Sequence, residues 1–255
     1  MKKLVTAFAA CVMAGMVSAE VSSQNIVGYQ TMTAPGAYFS TGPTFISVGS
    51  ATEQWKLSDV TLNGAVPGDD FVQFLDPATV ATVIQATYID AATAAAAEAP
   101  ELEGWWDLSI ENSLNDLTFA AGTGFICSFA SAGVSITYAG EVLQGSTTLD
   151  LSGMAYPMVA NFTPVDLTLG SITGIGMVPG DDFIQFLDPA TVETIVQATY
   201  IDAATAAAAE APELEGWWDL AIENSLNAQA LPAGAAFIGS FASTGVMMTF
   251  PDPMP

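Results

Sequence analysis

Basic side chains are almost missing from this sequence. It has no His and only three Lys or Arg residues against 27 Asp and Glu, a formal net charge of −24 over 255 residues. Such a chain cannot neutralise phosphates, which excludes nucleic-acid binding. It also excludes chemistry that needs a histidine base or a P-loop lysine. Cysteine is scarce too. Cys11 lies in an apolar N-terminal run, which leaves Cys127 without a partner for an intramolecular disulfide. Long apolar runs are lacking as well. Leu117–Gly140 carries no charge, but Gly122, Gly124 and Gly133 interrupt it, so two short strands fit better than a membrane span. A membrane barrel would need more alternating strands than the chain offers.

The N-terminus carries Lys2 and Lys3 ahead of the apolar run Leu4–Val17, which ends in Val17-Ser18-Ala19. This is the pattern of a secretory signal peptide over residues 1–19. Its removal would leave Lys56 as the one cationic side chain of residues 20–255. The expected location is therefore outside the cytoplasm: extracellular, at the cell surface or in the periplasm. With 51% hydrophobic residues the chain has ample material for a core and is not of the charged, disordered kind.

What dominates the chain is an internal duplication. Pro67–Asn115 aligns without gaps on Pro179–Asn227, and of 49 positions only five differ: Val72/Ile184, Ala81/Glu193, Val83/Ile195, Ile84/Val196 and Ser109/Ala221. Weaker matching extends upstream to Leu57/Leu169 and downstream to Thr137/Thr249. The expected domains are a repeat over 20–139 and a second over 140–255, each of roughly 110 residues. No Pro/Ser linker separates them, so they are expected to pack together or share strands.

Within a repeat the punctuation is that of strands. Phe71–Leu75 is a strand-sized apolar run, Asp76-Pro77-Ala78-Thr79 is a turn, and Val80–Ile89 should return as its partner. Asp90 is placed to cap a short Ala-rich helix over Ala91–Ala99, stopped by Pro100. Glu98, Glu101 and Glu103 oppose the dipole at its C-terminus and should fray it. Gly104–Leu108 reads as another strand, and Gly124–Phe129 with Gly133–Tyr138 as a closing hairpin. Val27–Thr33 and Thr44–Val48 bring the count to about seven strands. The expected fold class is all-β: two tandem β-sandwich or open-barrel repeats, each with one short Ala-rich helix.

The opening Ser23-Gln24-Asn25-Ile26-Val27-Gly28-Tyr29 resembles the start of a family of uncharacterised exported bacterial proteins. Their units carry a G-D-x-I-Q-x-L-D-P strand-turn, a G-W-[WY]-D strand and an A-G-x-G-F segment ahead of a V-x-F/Y-x-G-E-V ending. Similar stretches here are Gly68–Pro77, Gly104–Asp107, Ala121–Phe125 and Val134–Val142, then Gly180–Pro189, Gly216–Asp219 and Ala233–Phe237. The second unit departs at its end, with Ala236 for the second Gly and Phe250-Pro251 in place of the tail. The resemblance implies export and a β-rich repeat, and it implies no activity.

Two constellations invite a functional reading. Asp69-Asp70 and Asp181-Asp182 follow Pro-Gly, and adjacent carboxylates can offer oxygen ligands to Ca²⁺. An Asp-stabilised turn explains the same residues. Trp105-Trp106-Asp107 and Trp217-Trp218-Asp219 place neighbouring indoles on opposite faces of a strand. One should enter the core; the other, beside a carboxylate, could stack on a sugar ring of a surface glycan. Carboxylate pairs such as Asp107 and Glu111 could suit a glycosidase. With so many acids some such pair always arises, so no catalytic residue is assigned.

The expected function is that of a secreted or cell-surface structural protein, self-associating and non-catalytic, with carbohydrate binding through the Trp pairs as the alternative. For assembly, Glu20–Tyr29 is suited either to pair within its own unit or to add to a bare edge of the second unit in a neighbour. That edge is expected because Pro251 and Pro253 end the last strand. Head-to-tail addition would generate filaments.

Overall fold

A computed structural model describes residues 27–188 and 193–253. The proposed signal peptide lies outside the described residues. The described residues form an all-β fold with two short α-helices, arranged as two similar halves. The first half holds β1 (Val27–Thr33), β2 (Tyr38–Thr41), β3 (Gln54–Lys56), β4 (Val60–Asn63), β5 (Phe71–Leu75) and β6 (Thr82–Ile89). After helix α1 (Ala91–Ala96) come β7 (Gly104–Asp107), β8 (Asn112–Ser113), β9 (Thr118–Ala120), β10 (Phe125–Ser128) and β11 (Ser135–Glu141). The second half repeats this with β12 (Thr147–Asp150), β13 (Met158–Ala160), β14 (Leu167–Thr168), β15 (Thr173–Ile175), β16 (Phe183–Leu187) and β17 (Thr194–Ile201). Helix α2 (Ala203–Ala208) leads to β18 (Gly216–Asp219), β19 (Asn224–Ser225), β20 (Ala230–Leu231), β21 (Ala236–Ser240) and β22 (Met247–Phe250).

Each half is a sandwich of a three-stranded sheet, β1-β11-β4 or β12-β22-β15, and a six-stranded sheet, β2-β10-β5-β6-β7-β8 or β13-β21-β16-β17-β18-β19. Inward residues of both sheets meet in one core per half. The first contains Val60, Leu62, Val72, Trp105, Phe125, Ile136 and Tyr138; the second contains Ile172, Ile184, Trp217, Phe237, Met248 and Phe250. Phe71–Leu75 pairs with the following strand as the turn signal predicts, with a bulge between Phe74 and Leu75.

Several expectations need correction. The segments read as a closing hairpin do form strands, but they do not pair with each other. β10 lies between β2 and β5 in the large sheet, whereas β11 lies between β1 and β4 in the small one. The segment between them crosses from sheet to sheet, because both strands carry apolar residues that need the shared core. Thr44–Val48 is no strand and contributes a lone bridge, Ile46 to Glu141; Phe45 and Ile46 are buried as loop residues. The Ala-rich helix stops at Ala96, with a 3₁₀ turn at Pro100–Leu102 beyond it. Its N-cap is as expected: Asp90 Oδ1 accepts from Thr93 N at 2.7 Å. Each half has eleven short strands among the described residues rather than about seven; the additional ones in the first half, β2, β3, β4, β8 and β9, are two to four residues long and lie in segments not read as strands. Nor is the second half's edge bare. Thr147–Asp150 pairs with β22, just as Val27–Thr33 pairs with β11 of its own half.

The two N-terminal strands share little sequence, yet both bring a Thr opposite the matching Thr of the central strand. Thr31 and Thr137 hydroxyls lie 2.9 Å apart, Thr148 and Thr249 hydroxyls 2.8 Å. The structural repeat therefore reaches further than the sequence repeat. The halves also meet in a reciprocal way. Thr41 is registered against Phe125, and Val159 against Phe237, so the two are equivalent positions. Thr41 bridges to Ala235 while Val159 bridges to Thr123, its counterpart. Gly42 N donates to Gly234 O at 3.0 Å, and Ala160 N to Gly122 O at 2.8 Å. Such i-to-j, j-to-i pairing is the signature of an isologous interface, here enclosed within one chain. Ile126 and Ile238 pack at its centre with Met158, Ala160 and Ala236.

Candidate functional site

The Trp-Trp-Asp strands divide as their alternation requires. Trp105 and Trp217 are fully buried. Their indole N–H groups cross the core to the opposite sheet: Trp105 Nε1 donates to Val60 O at 2.6 Å and Trp217 Nε1 to Ile172 O at 2.8 Å. These two indoles bolt the sandwich and are closed to any ligand. Trp106 and Trp218 lie half-buried on the outer face, and the Nε1 atom of each is buried without a hydrogen-bond partner. Each strand begins with a glycine in the left-handed region (φ 111° at Gly104, 115° at Gly216). A side chain there would strike Asn115 or Asn227. Those amides orient the strand by accepting from Trp105 N and Trp217 N at 2.7 and 2.8 Å.

Beyond the second Trp the chain turns at the tip of the β7–β8 hairpin. Asp107 Oδ1 accepts from Ser109 N at 2.9 Å and from Ser109 Oγ at 2.6 Å. Asp219 Oδ1 accepts from Ala221 N at 2.9 Å. Among the described residues Oδ2 of both carboxylates has no partner. The tips expose Leu108 and Ile110, and Leu220 and Ile222. Glu111 sits at the tip's end with φ 52°, as does Glu223.

Under each tip runs a groove that the sequence did not disclose. In the first half it is lined by Gly68, Phe71, Gln85, Thr87, Asp107 and Leu108, with a volume of about 220 Å³. In the second half the equivalents Gly180, Phe183, Gln197, Thr199, Asp219 and Leu220 line a groove of about 400 Å³, joined by Trp218 and Ile195. Thr87 is committed, donating to Asp70 O at 2.9 Å and accepting from Gly68 N at 3.1 Å. The Gln85 and Gln197 amides are exposed and make no hydrogen bond within the described residues. The signal available beforehand was the outward alternation of Phe71, Gln85 and Asp107. Nothing local said that three separate strands would bring them together.

The Asp pairs behave as turn elements. Asp69 and Asp181 are exposed, whereas Asp70 and Asp182 are fully buried. Asp70 Oδ2 accepts from Val66 N at 2.7 Å and Oδ1 from Ser131 N at 3.0 Å. Asp182 accepts from Val178 N and Ala242 N at 2.7 Å each, and from Ser243 N at 3.0 Å. Burial pushes both carboxyls up, but the hydrogen bonds outweigh it and hold them below the ordinary carboxylate range. One carboxylate thus ties the Pro-Gly turn to the segment that crosses between sheets. Among the described residues no three carboxylates, thiols or imidazoles gather as a metal would require. Cys127 is fully buried in the first core, and burial raises its thiol well above the ordinary value. Its counterpart Gly239 leaves space that the Phe241 ring occupies, so the thiol serves packing.

A different surface lies along β1. Among the described residues it forms the outer edge of its sheet, runs seven residues without charge, Pro or bulge, and exposes Val27 (59%) and Tyr29 (78%). The other edge strands are shorter, four residues or fewer, and its counterpart β12 carries Asp150. No helix of the described residues is long and apolar enough to cross a membrane. No family model, curated protein or solved structure matches the chain.

Proposed function

We propose that the chain is an exported structural protein, secreted or at the cell surface, non-catalytic, that associates with copies of itself. The observation that carries this reading is the β1 edge. Natural sheets protect long edges with charge, proline, bulges or shortness, and β1 has none of these while every other edge strand is short. Two β1 strands pairing antiparallel would join the small sheets of two chains into one six-stranded sheet. That arrangement closes on itself and gives a dimer rather than a filament. Export rests on the basic and apolar N-terminus, and the near absence of cationic residues suits survival among trypsin-like proteases.

The test is the solution mass of the purified protein by light scattering, together with a Tyr29→Lys/Thr31→Lys variant. Both side chains face solvent, so the fold should persist with an unchanged circular dichroism spectrum while the dimer dissociates. A wild-type protein that stays monomeric at millimolar concentration and high salt would refute the reading.

A further inference from the structure

We propose that the paired grooves beneath the β7–β8 and β18–β19 tips bind neutral saccharides, one per groove. This goes beyond the structural role above and does not depend on the β1 edge. The first ground is duplication of form. All six lining residues named for the first groove recur, at equivalent places, in the second. The residues come from the Pro-Gly turn, neighbouring strands and a hairpin tip, all within the repeated block Pro67–Asn115 and Pro179–Asn227, so one near-identical sequence builds the same groove twice.

The second ground is chemistry. Each groove has a half-buried Phe wall (Phe71 or Phe183) and an apolar lip (Leu108 or Leu220). Between them stand a free carboxylate oxygen of Asp107 or Asp219 and the unpaired amide of Gln85 or Gln197. An aromatic or aliphatic wall covers the C–H face of a pyranose, and a carboxylate beside an amide accepts from and donates to its hydroxyls. An anionic ligand is disfavoured, since no cationic side chain lines either groove and the chain carries −24 charges. A metal ion is disfavoured because one free carboxylate per groove is too few oxygen donors. A purely apolar ligand would strip water from Asp and Gln without replacing it.

The halves are not identical. Ser109, whose hydroxyl occupies Asp107 Oδ1, is Ala221 in the second half, one of the few differences in the repeated block. Asp219 keeps that acceptor capacity for a ligand, and the second groove is the larger. The second site should therefore bind more tightly.

Calorimetric titration of the full chain with cellotriose, maltotriose, xylotriose and tri-N-acetylchitotriose tests the proposal. At least one should bind with two sites per chain, insensitively to salt. The Gln85→Ala/Asp107→Asn variant should reduce the count to the tighter site, and Gln197→Ala/Asp219→Asn should leave the weaker one. All four changes together should abolish binding while the thermal melt is unchanged, because the Gln side chains are exposed and Asn still caps its turn. Each paired change should weaken its site by roughly a hundredfold, the loss of a charged and a neutral hydrogen bond, which takes that site out of the titration. No heat with any of the four sugars, a single site untouched by either pair, or binding that survives all four changes would overturn the proposal. Equal binding of tri-galacturonate would overturn the neutral class.

Discussion

Replacing Asp182 by Ala removes the acceptor of three backbone amides at once, Val178 N, Ala242 N and Ser243 N, in a site with no solvent exposure. Hydrogen bonds to a charged group contribute about 1.5–3 kcal/mol each, and orphaned buried donors add a desolvation cost. The amides share one carboxylate and the turn relaxes in its absence, so the loss should be about 3–5 kcal/mol rather than the full sum. Asp70→Ala should cost somewhat less, with two amides seen on its oxygens. The pH dependence gives a second reading of the same interaction. The folded carboxyl lies below its ordinary value, so its stabilisation is fully present above the unfolded carboxylate pKa and is lost as pH falls through the folded one. Chemical denaturation at pH 7 and near pH 3 measures both. The gap between wild type and Asp182→Ala should be wide at pH 7 and narrow progressively in acid. A gap below about 1 kcal/mol at pH 7, or one that stays the same in acid, would show that the carboxylate does not hold the sheet crossing.

Four further outcomes can be measured. Trp217→Phe leaves Ile172 O buried without its donor and should cost about 2–4 kcal/mol. Trp218→Phe removes a buried donor that has no partner and should be neutral or stabilising; the opposite order in thermal melts would reverse the assignment of faces. Trypsin acting on denatured, processed chain should yield two fragments, cut after Lys56, and any additional fragment would disprove the processing site after Ala19. The melting temperature should rise between ~10 mM and ~500 mM NaCl as like charges are screened, and a flat response would show that repulsion does not limit stability.

The sequence alone determined the repeat, the class of fold and the local punctuation. Phe71–Leu75 and its partner, the Asp90 cap and the burial of one member of each Trp pair, though not which one, were legible because turn residues, caps and strand alternation act over a few neighbours. Pairing between distant strands was not legible. β10 and β11 look like a hairpin, since a short turn-like segment joins two apolar runs. What separates them is that both need the same core from opposite sides, and Asp70, far upstream, accepts from the segment that lets them part. The equivalence of β1 and β12 was invisible because an edge strand needs little beyond alternation, and different sequences meet that need. Only the tertiary structure placed Phe71, Gln85 and Asp107 around one groove, then did so again with Phe183, Gln197 and Asp219. Sequence distance carries no record of which strands become neighbours; burial of the shared core decides it, and the grooves are a consequence of that decision.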